Sequence, residues 1–134
     1  GTLYVGEEDG VLWGVVNLNG LQLPEYDAIP WSIPAARDEV GVIHTLCIRP
    51  SCHGRGYARQ MVAFCEEESR RLGRTVIRLD TWAGNIPAAT LYQKNGFSLC
   101  GRAQVLFQGK IPEELVFLEY RCPPSADPPA VCGD

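Results

Sequence analysis

The run Ile48-Arg49-Pro50-Ser51-Cys52-His53-Gly54-Arg55-Gly56-Tyr57-Ala58 joins a nearly continuous apolar segment, Val40 to Ile48, to an amphipathic one through a turn rich in glycine and cationic side chains. Few folds accommodate that order. An apolar run without clean alternation is the pattern of a central strand covered on both faces. A helix that starts on a glycine turn offers unpartnered backbone N–H groups and the positive end of its dipole, and the glycines let an anion approach the main chain closely. The segment therefore reads as strand, phosphate-binding turn and helix. A Gly-x-Gly by itself marks only a flexible turn, so its surroundings decide.

Those surroundings extend the pattern. The helix places Ala58, Met61, Val62, Cys65 and Leu72 on one face, sets Glu66 and Glu67 four residues before Arg70 and Arg71, and stops at Gly73. Thr75 to Thr81 is a second strand, and the strand, helix, strand spacing predicts that it runs parallel to Val40–Ile48. Asn85 is an N-cap, Pro87 suits a first helical turn, and Gly96 ends that helix. Upstream, Leu3 to Val5 and Val11 to Leu18 flank Glu7-Glu8-Asp9-Gly10, a hairpin signal. Leu21 to Glu39 is broken by Pro24, Pro30 and Pro34 and reads as a long loop of the kind that often carries function. Phe97 to Ala103 and Glu114 to Arg121 are two antiparallel strands. The expected architecture is α/β, with a mixed sheet, over residues 1–121, followed by a proline-rich, disordered tail over 122–134.

Two motifs in this order resemble the GNAT N-acetyltransferase superfamily. His53-Gly54-Arg55-Gly56-Tyr57-Ala58 is similar to its acetyl-CoA loop, Gln/Arg-x-x-Gly-x-Gly/Ala, with His in the leading place. Asn85, Ala88, Leu91, Tyr92, Gly96 and Phe97 match its Asn-x-x-Ala-x-x-Leu-Tyr-x-x-x-Gly-Phe pattern. The resemblance runs from about Leu3 to Tyr120. It implies the acyl-CoA N-acyltransferase fold, here without the strand and two helices that precede the equivalent of Leu3-Tyr4-Val5 in the family. The chain then reads as N-terminally incomplete, with an apolar flank of the sheet open to self-association or to a partner chain.

The resemblance also implies acetyl-CoA as cosubstrate, its pyrophosphate at His53, Gly54, Arg55, Gly56, Tyr57 and Ala58 with charge from Arg55 or Arg59. Leu46, Cys47 and Ile48 would follow the pantetheine arm where the two parallel strands splay, with Asn85, Ala88 and Tyr92 on the other side. Tyr92 would be the general acid, since the tyrosine of the Leu-Tyr pair points at the thioester sulfur in the family and a phenol is matched in basicity to a thiolate. The alternative is a core tyrosine on an amphipathic helix. His44 stands where some members carry a glutamate base, and a neutral imidazole suits that role; a histidine hydrogen-bonded inside the sheet is the other reading. Asp80 either orients a cation or bonds to the backbone, and Tyr26, Trp31 and Trp82 either line the acceptor pocket or pack.

Composition narrows the class. A 134-residue chain with 46% hydrophobic and 21% charged residues fits one globular domain, and its net charge of −4 argues against a nucleic-acid binder. No apolar run approaches the length of a membrane span and no signal-peptide pattern opens the chain, so a cytoplasmic setting without membrane contact is expected. The six cysteines include no Cys-x-x-Cys pair, and Cys47 and Cys65 fall on apolar faces, as reduced core thiols do. With His44 and His53 the only histidines, no metal site is expected. The reading is N-acetylation of a primary amine on a small molecule or peptide by direct attack in a ternary complex. The alternative is a non-catalytic CoA-binding or assembly module with a degenerate fold. A P-loop hydrolase would need a Lys-Ser/Thr pair that the turn lacks.

Overall fold

The computed structural model describes residues 3–107, 109 and 111–123. Most of the expected tail lies outside the described residues. A six-stranded mixed sheet is formed in the order β1-β2-β3-β4-β6-β5, from β1 (Leu3–Glu8), β2 (Val11–Asn19), β3 (Val40–Ile48), β4 (Val76–Trp82), β5 (Ser98–Phe107) and β6 (Ile111–Arg121). Helices α1 (Tyr57–Arg71) and α2 (Ile86–Lys94) follow β3 and β4. No helix among the described residues is long and apolar enough to cross a membrane. Asp9 and Gly10 both take positive φ, 54° and 79°, the geometry a two-residue hairpin loop demands between β1 and β2.

Both helices cover one face of the sheet. Met61, Val62 and Cys65 of α1 and Tyr92 of α2 pack with Val16, Leu18, Ile43, Ile77, Leu79 and Leu118 in one core. The turn of α1 ends differently from the sequence reading. Leu72 is exposed and Ser69 takes the buried place, because Leu72 caps the helix outside its regular face. The expected Glu66–Arg70 and Glu67–Arg71 pairing is likewise replaced. Glu68 binds Arg71 through two hydrogen bonds of 2.9 and 2.7 Å and accepts the Tyr4 hydroxyl, while Glu66 accepts the Tyr120 hydroxyl at 2.9 Å. Glu66 thus turns to a strand residue, whereas Glu68 keeps a partner within its own helix, three residues on. Glu68 is held down to about 2, first by the Arg71 hydrogen bonds.

The segment between β2 and β3 covers the opposite face. It contains two short 3-10 turns, Pro24–Ala28 and Arg37–Glu39, and buries Tyr26 and Ile29 against Val40, Val42, Val76 and Phe117. A buried ion pair pins it there. Glu119 accepts the backbone N–H groups of Ser32 and Ile33 at 2.7 and 3.2 Å; Arg78 donates to the Ile33 carbonyl at 2.8 Å and lies 4.5 Å from the centre of the Trp31 ring. The Arg78 and Glu119 side chains approach to 3.8 Å and are almost wholly buried. Removing one partner would leave the other charge buried and uncompensated. Glu119→Ala is therefore expected to cost about 3–5 kcal/mol of stability, with part of the loss recovered in a Glu119→Leu, Arg78→Met double variant. Thermal unfolding of both variants checks this, and an unchanged melting temperature for Glu119→Ala would remove the pair from the account of the fold.

The five described cysteines are free thiols. Burial pushes Cys65 up to about 12 and Cys122 up to about 11. Cys47 departs from the expectation of a core thiol, being exposed. The cause is a bulge in β3. Asn17 pairs with Thr45 but Leu18 with Ile43, so His44 is an extra residue without a β2 partner and the side-chain alternation resets.

Candidate active site

The sheet opens in its middle. β3 and β4 pair in parallel only from Val40↔Val76 to Ile43↔Leu79. Beyond that point β3 stays with β2 as far as Gly14↔Ile48, and β4 stays with β6 as far as Trp82↔Leu115. Residues His44–Ile48 and Asp80–Trp82 therefore diverge, with their facing edges released from each other. This is the splay that the family resemblance implies, and it separates β3's buried first half from its exposed second half.

A cavity of about 530 Å³ lies on the helical face of this opening. Leu46 and Ile48 of β3 form one side; His53, Gly54 and Gly56 of the turn, with Tyr57, Ala58 and Arg59 of α1, form its rim; Ala88, Leu91 and Tyr92 of α2, with Asn95 just past its end, close the other. The structure thus gathers most of the residues singled out from sequence around one space. Cys47, Arg55, Asn85 and His44 are not among its lining residues. Cys52, Pro87 and Asn95 line it and were not anticipated, since a turn cysteine and helix-surface residues carry no motif of their own.

The rim has the geometry an anion needs. Gly54 and Gly56 each have φ of +80°, and a Cβ built on either would meet no atom within 4 Å. Glycine is thus required by backbone conformation, while the space beside it is open. Gly56 is the N-cap of α1 and makes no side-chain cap, which leaves the first-turn amides facing outward. The helix start is held in place by Tyr57, whose ring stacks on Trp13 at 4.4 Å and whose hydroxyl donates to Glu8 at 3.2 Å. His53 donates from Nε2 to the Ile48 carbonyl at 2.9 Å, tying the turn back to β3.

Asn85 caps α2 as expected, accepting the Ala88 N–H at 3.2 Å; its role in this structure is to set the helix that carries Tyr92. Tyr92 is buried, 7% exposed, with its ring edge against Phe97 at 5.4 Å. Burial raises its phenol well above the usual value, and the nearby Cys65, Cys47 and Asp80 add to the shift. The hydroxyl is therefore held in the protonated form.

His44 lies on the exposed part of β3, where it bonds to the neighbouring strand β2, as the reading of a histidine hydrogen-bonded within the sheet also expects. Its Nε2 is 2.6 Å from Asn19 Oδ1. Asp80, first beyond the last β3–β4 pair, accepts the Tyr26 hydroxyl at 2.6 Å. Burial raises the Asp80 carboxyl, opposed by the Tyr26 hydrogen bond and by His44. Tyr26 is thus a core residue that also orients Asp80, and Trp31 packs over Arg78, whereas Trp82 is 56% exposed.

Comparison with known proteins agrees with this fold. No curated protein matches the chain. Among solved structures, nourseothricin acetyltransferase superposes with a TM-score of 0.67 at 23% identity, over 87% of this chain and 61% of its own. The yncA protein of Salmonella typhimurium, solved with its cofactor acetyl-CoA, gives 0.67 at 20% identity over 96% and 68%. A Bacillus subtilis acetyltransferase in complex with CoA gives 0.64 at 20% identity over 89% and 75%. The chain spans 61% of the first of these, less than two thirds, and at such identities the likeness is one of fold. The family model for acetyltransferases of the GNAT type matches residues 1–97, taking in the hairpin, the glycine turn and the Asn85–Phe97 motif, and the chain belongs to that family.

Proposed function

We propose that the protein moves an acetyl group from acetyl-CoA to a primary amine of a small molecule or peptide, by direct attack in a ternary complex and without an acyl-enzyme. The observation that carries this reading is the cavity between the glycine turn and Tyr92, set at the divergence of β3 and β4. Acetyl-CoA supplies the electrophilic thioester carbon and a thiolate leaving group. The outward amides of the Gly54–Arg59 stretch, with Arg59 at the rim, suit a pyrophosphate. Strand edges released by the splay offer backbone hydrogen-bonding groups of Leu46, Cys47 and Ile48 to the pantetheine amides. His44 takes a proton from the substrate ammonium, the free amine attacks the thioester carbon, and Tyr92 donates a proton to the departing sulfur, its phenol being restored by the second proton that the nitrogen loses on becoming an amide.

In this reading His44→Ala removes the acidic limb of kcat/KM, because no imidazole then loses a proton as pH rises, while CoA affinity is kept. Paired pH profiles of wild type and variant decide it; a limb that persists unaltered returns His44 to a structural role. The substrate class is tested by CoA release across a panel of amines. Binding of acetyl-CoA without turnover on any amine would select the non-catalytic module instead. Self-association or a partner chain belongs to the same proposal, supported by the exposed Leu3 and Val5 of β1, and light scattering reads it directly.

A further inference from the structure

The geometry points to Asn19 as the positioning residue of His44: its side-chain oxygen holds the imidazole by Nε2–H and leaves Nδ1 as the atom that receives the substrate's proton. This rests on the reading of His44 as the base. The Leu21 N–H donates to Asn19 Oδ1 at 2.9 Å, and only an oxygen can accept that bond, so the orientation of the Asn19 amide is fixed. The same Oδ1 lies 2.6 Å from His44 Nε2. An amide oxygen cannot donate, so Nε2 must carry a proton, and in the neutral ring the lone pair is then on Nδ1.

The local backbone serves this arrangement. His44 is the residue that the β2–β3 register skips, and a bulge re-aims a side chain that regular alternation would place elsewhere. Asn19 is the last residue of β2, so the chain turns away there and its Leu21 amide is free to fold back onto the Asn19 side chain. Asp80 of β4 interacts with the imidazole, and Asp80 in turn interacts with Tyr26 and Glu25 of the 21–39 segment. None of them is altered by a substitution at Asn19.

Two variants and two readouts test the inference. Asn19→Asp keeps an oxygen for the Leu21 amide and adds a charge beside Nε2, which favours the imidazolium; the acidic limb of kcat/KM should move upward by about one pH unit. Asn19→Ala should lower kcat/KM roughly tenfold through loss of ring orientation, with KM for acetyl-CoA unchanged. Nitrogen-15 NMR of the histidine rings in the resting protein should show His44 as the Nε2–H tautomer, and Asn19→Ala should mix in the other. A limb unmoved in Asn19→Asp, or an Nδ1–H tautomer in the wild type, overturns the assignment of Asn19 while leaving His44→Ala to judge the base. If His44→Ala keeps the limb, the base reading falls and Asn19 loses its catalytic meaning with it, even where the NMR tautomer is as expected.

Discussion

Tyr92→Phe should leave acetyl-CoA affinity within about twofold and lower kcat by roughly ten- to a thousandfold, as removal of a positioned proton donor does. The ring stays. Its edge contact with Phe97 and its place in the core that joins α1, α2 and the sheet are those of a phenylalanine as much as of a tyrosine, so folding is preserved and the comparison isolates one hydroxyl. Because burial raises the Tyr92 phenol, the wild-type donor keeps its proton as pH rises through the neutral range and beyond. No alkaline limb from Tyr92 is then expected below about pH 10, the ordinary phenol value. Single-turnover measurements, which separate chemistry from product release, provide the check. An unchanged chemical step would make Tyr92 a core residue and nothing more.

Gly56→Val should weaken CoA binding by roughly tenfold or more while the protein still folds. A β-branched side chain at φ of +80° is strained by about 1–2 kcal/mol, a cost a domain can bear, and the new methyl groups would occupy the open space through which a phosphate must reach the amides of α1. The molecule contains its own control. Gly73, just past the end of the same helix, has φ of +78° and a Cβ there also meets nothing within 4 Å. Gly73→Val carries the same backbone strain far from the cavity. Calorimetry should find CoA affinity lost in the first variant and retained in the second. Equal affinities in the two folded variants would move the pyrophosphate site elsewhere.

Tyr92 and Gly56 are both legible in the amino-acid sequence alone. The glycine turn, the Asn85 cap and the Asp9-Gly10 hairpin are each specified by a few consecutive residues, because positive φ and helix capping are decided by groups next to each other in the chain. The same holds for the parallel pairing of β3 with β4, which the length of the intervening helix requires. Periodicity was less dependable at the ends of elements. Leu72 followed the helical pattern yet lies outside the core, and Cys47 followed an apolar strand yet is exposed.

What the sequence alone could not determine is which distant groups meet. Ser32 and Glu119 are 87 positions apart and Asn19 and His44 are 25 apart, and no spacing rule connects such pairs. Arg78 and Glu119 left a trace, being charges within apolar strands, but a lone charge in a strand does not name its partner. The tertiary structure decided that the 21–39 segment is clamped onto the second face, and that β3 parts from β4 after Ile43. It also decided that the bulge at His44 turns an imidazole toward Asn19. Local sequence fixes backbone dihedrals one residue at a time, whereas a site assembled from strands that separate depends on the competition among all neighbours for the same hydrogen bonds, and that competition is settled only when the whole sheet forms.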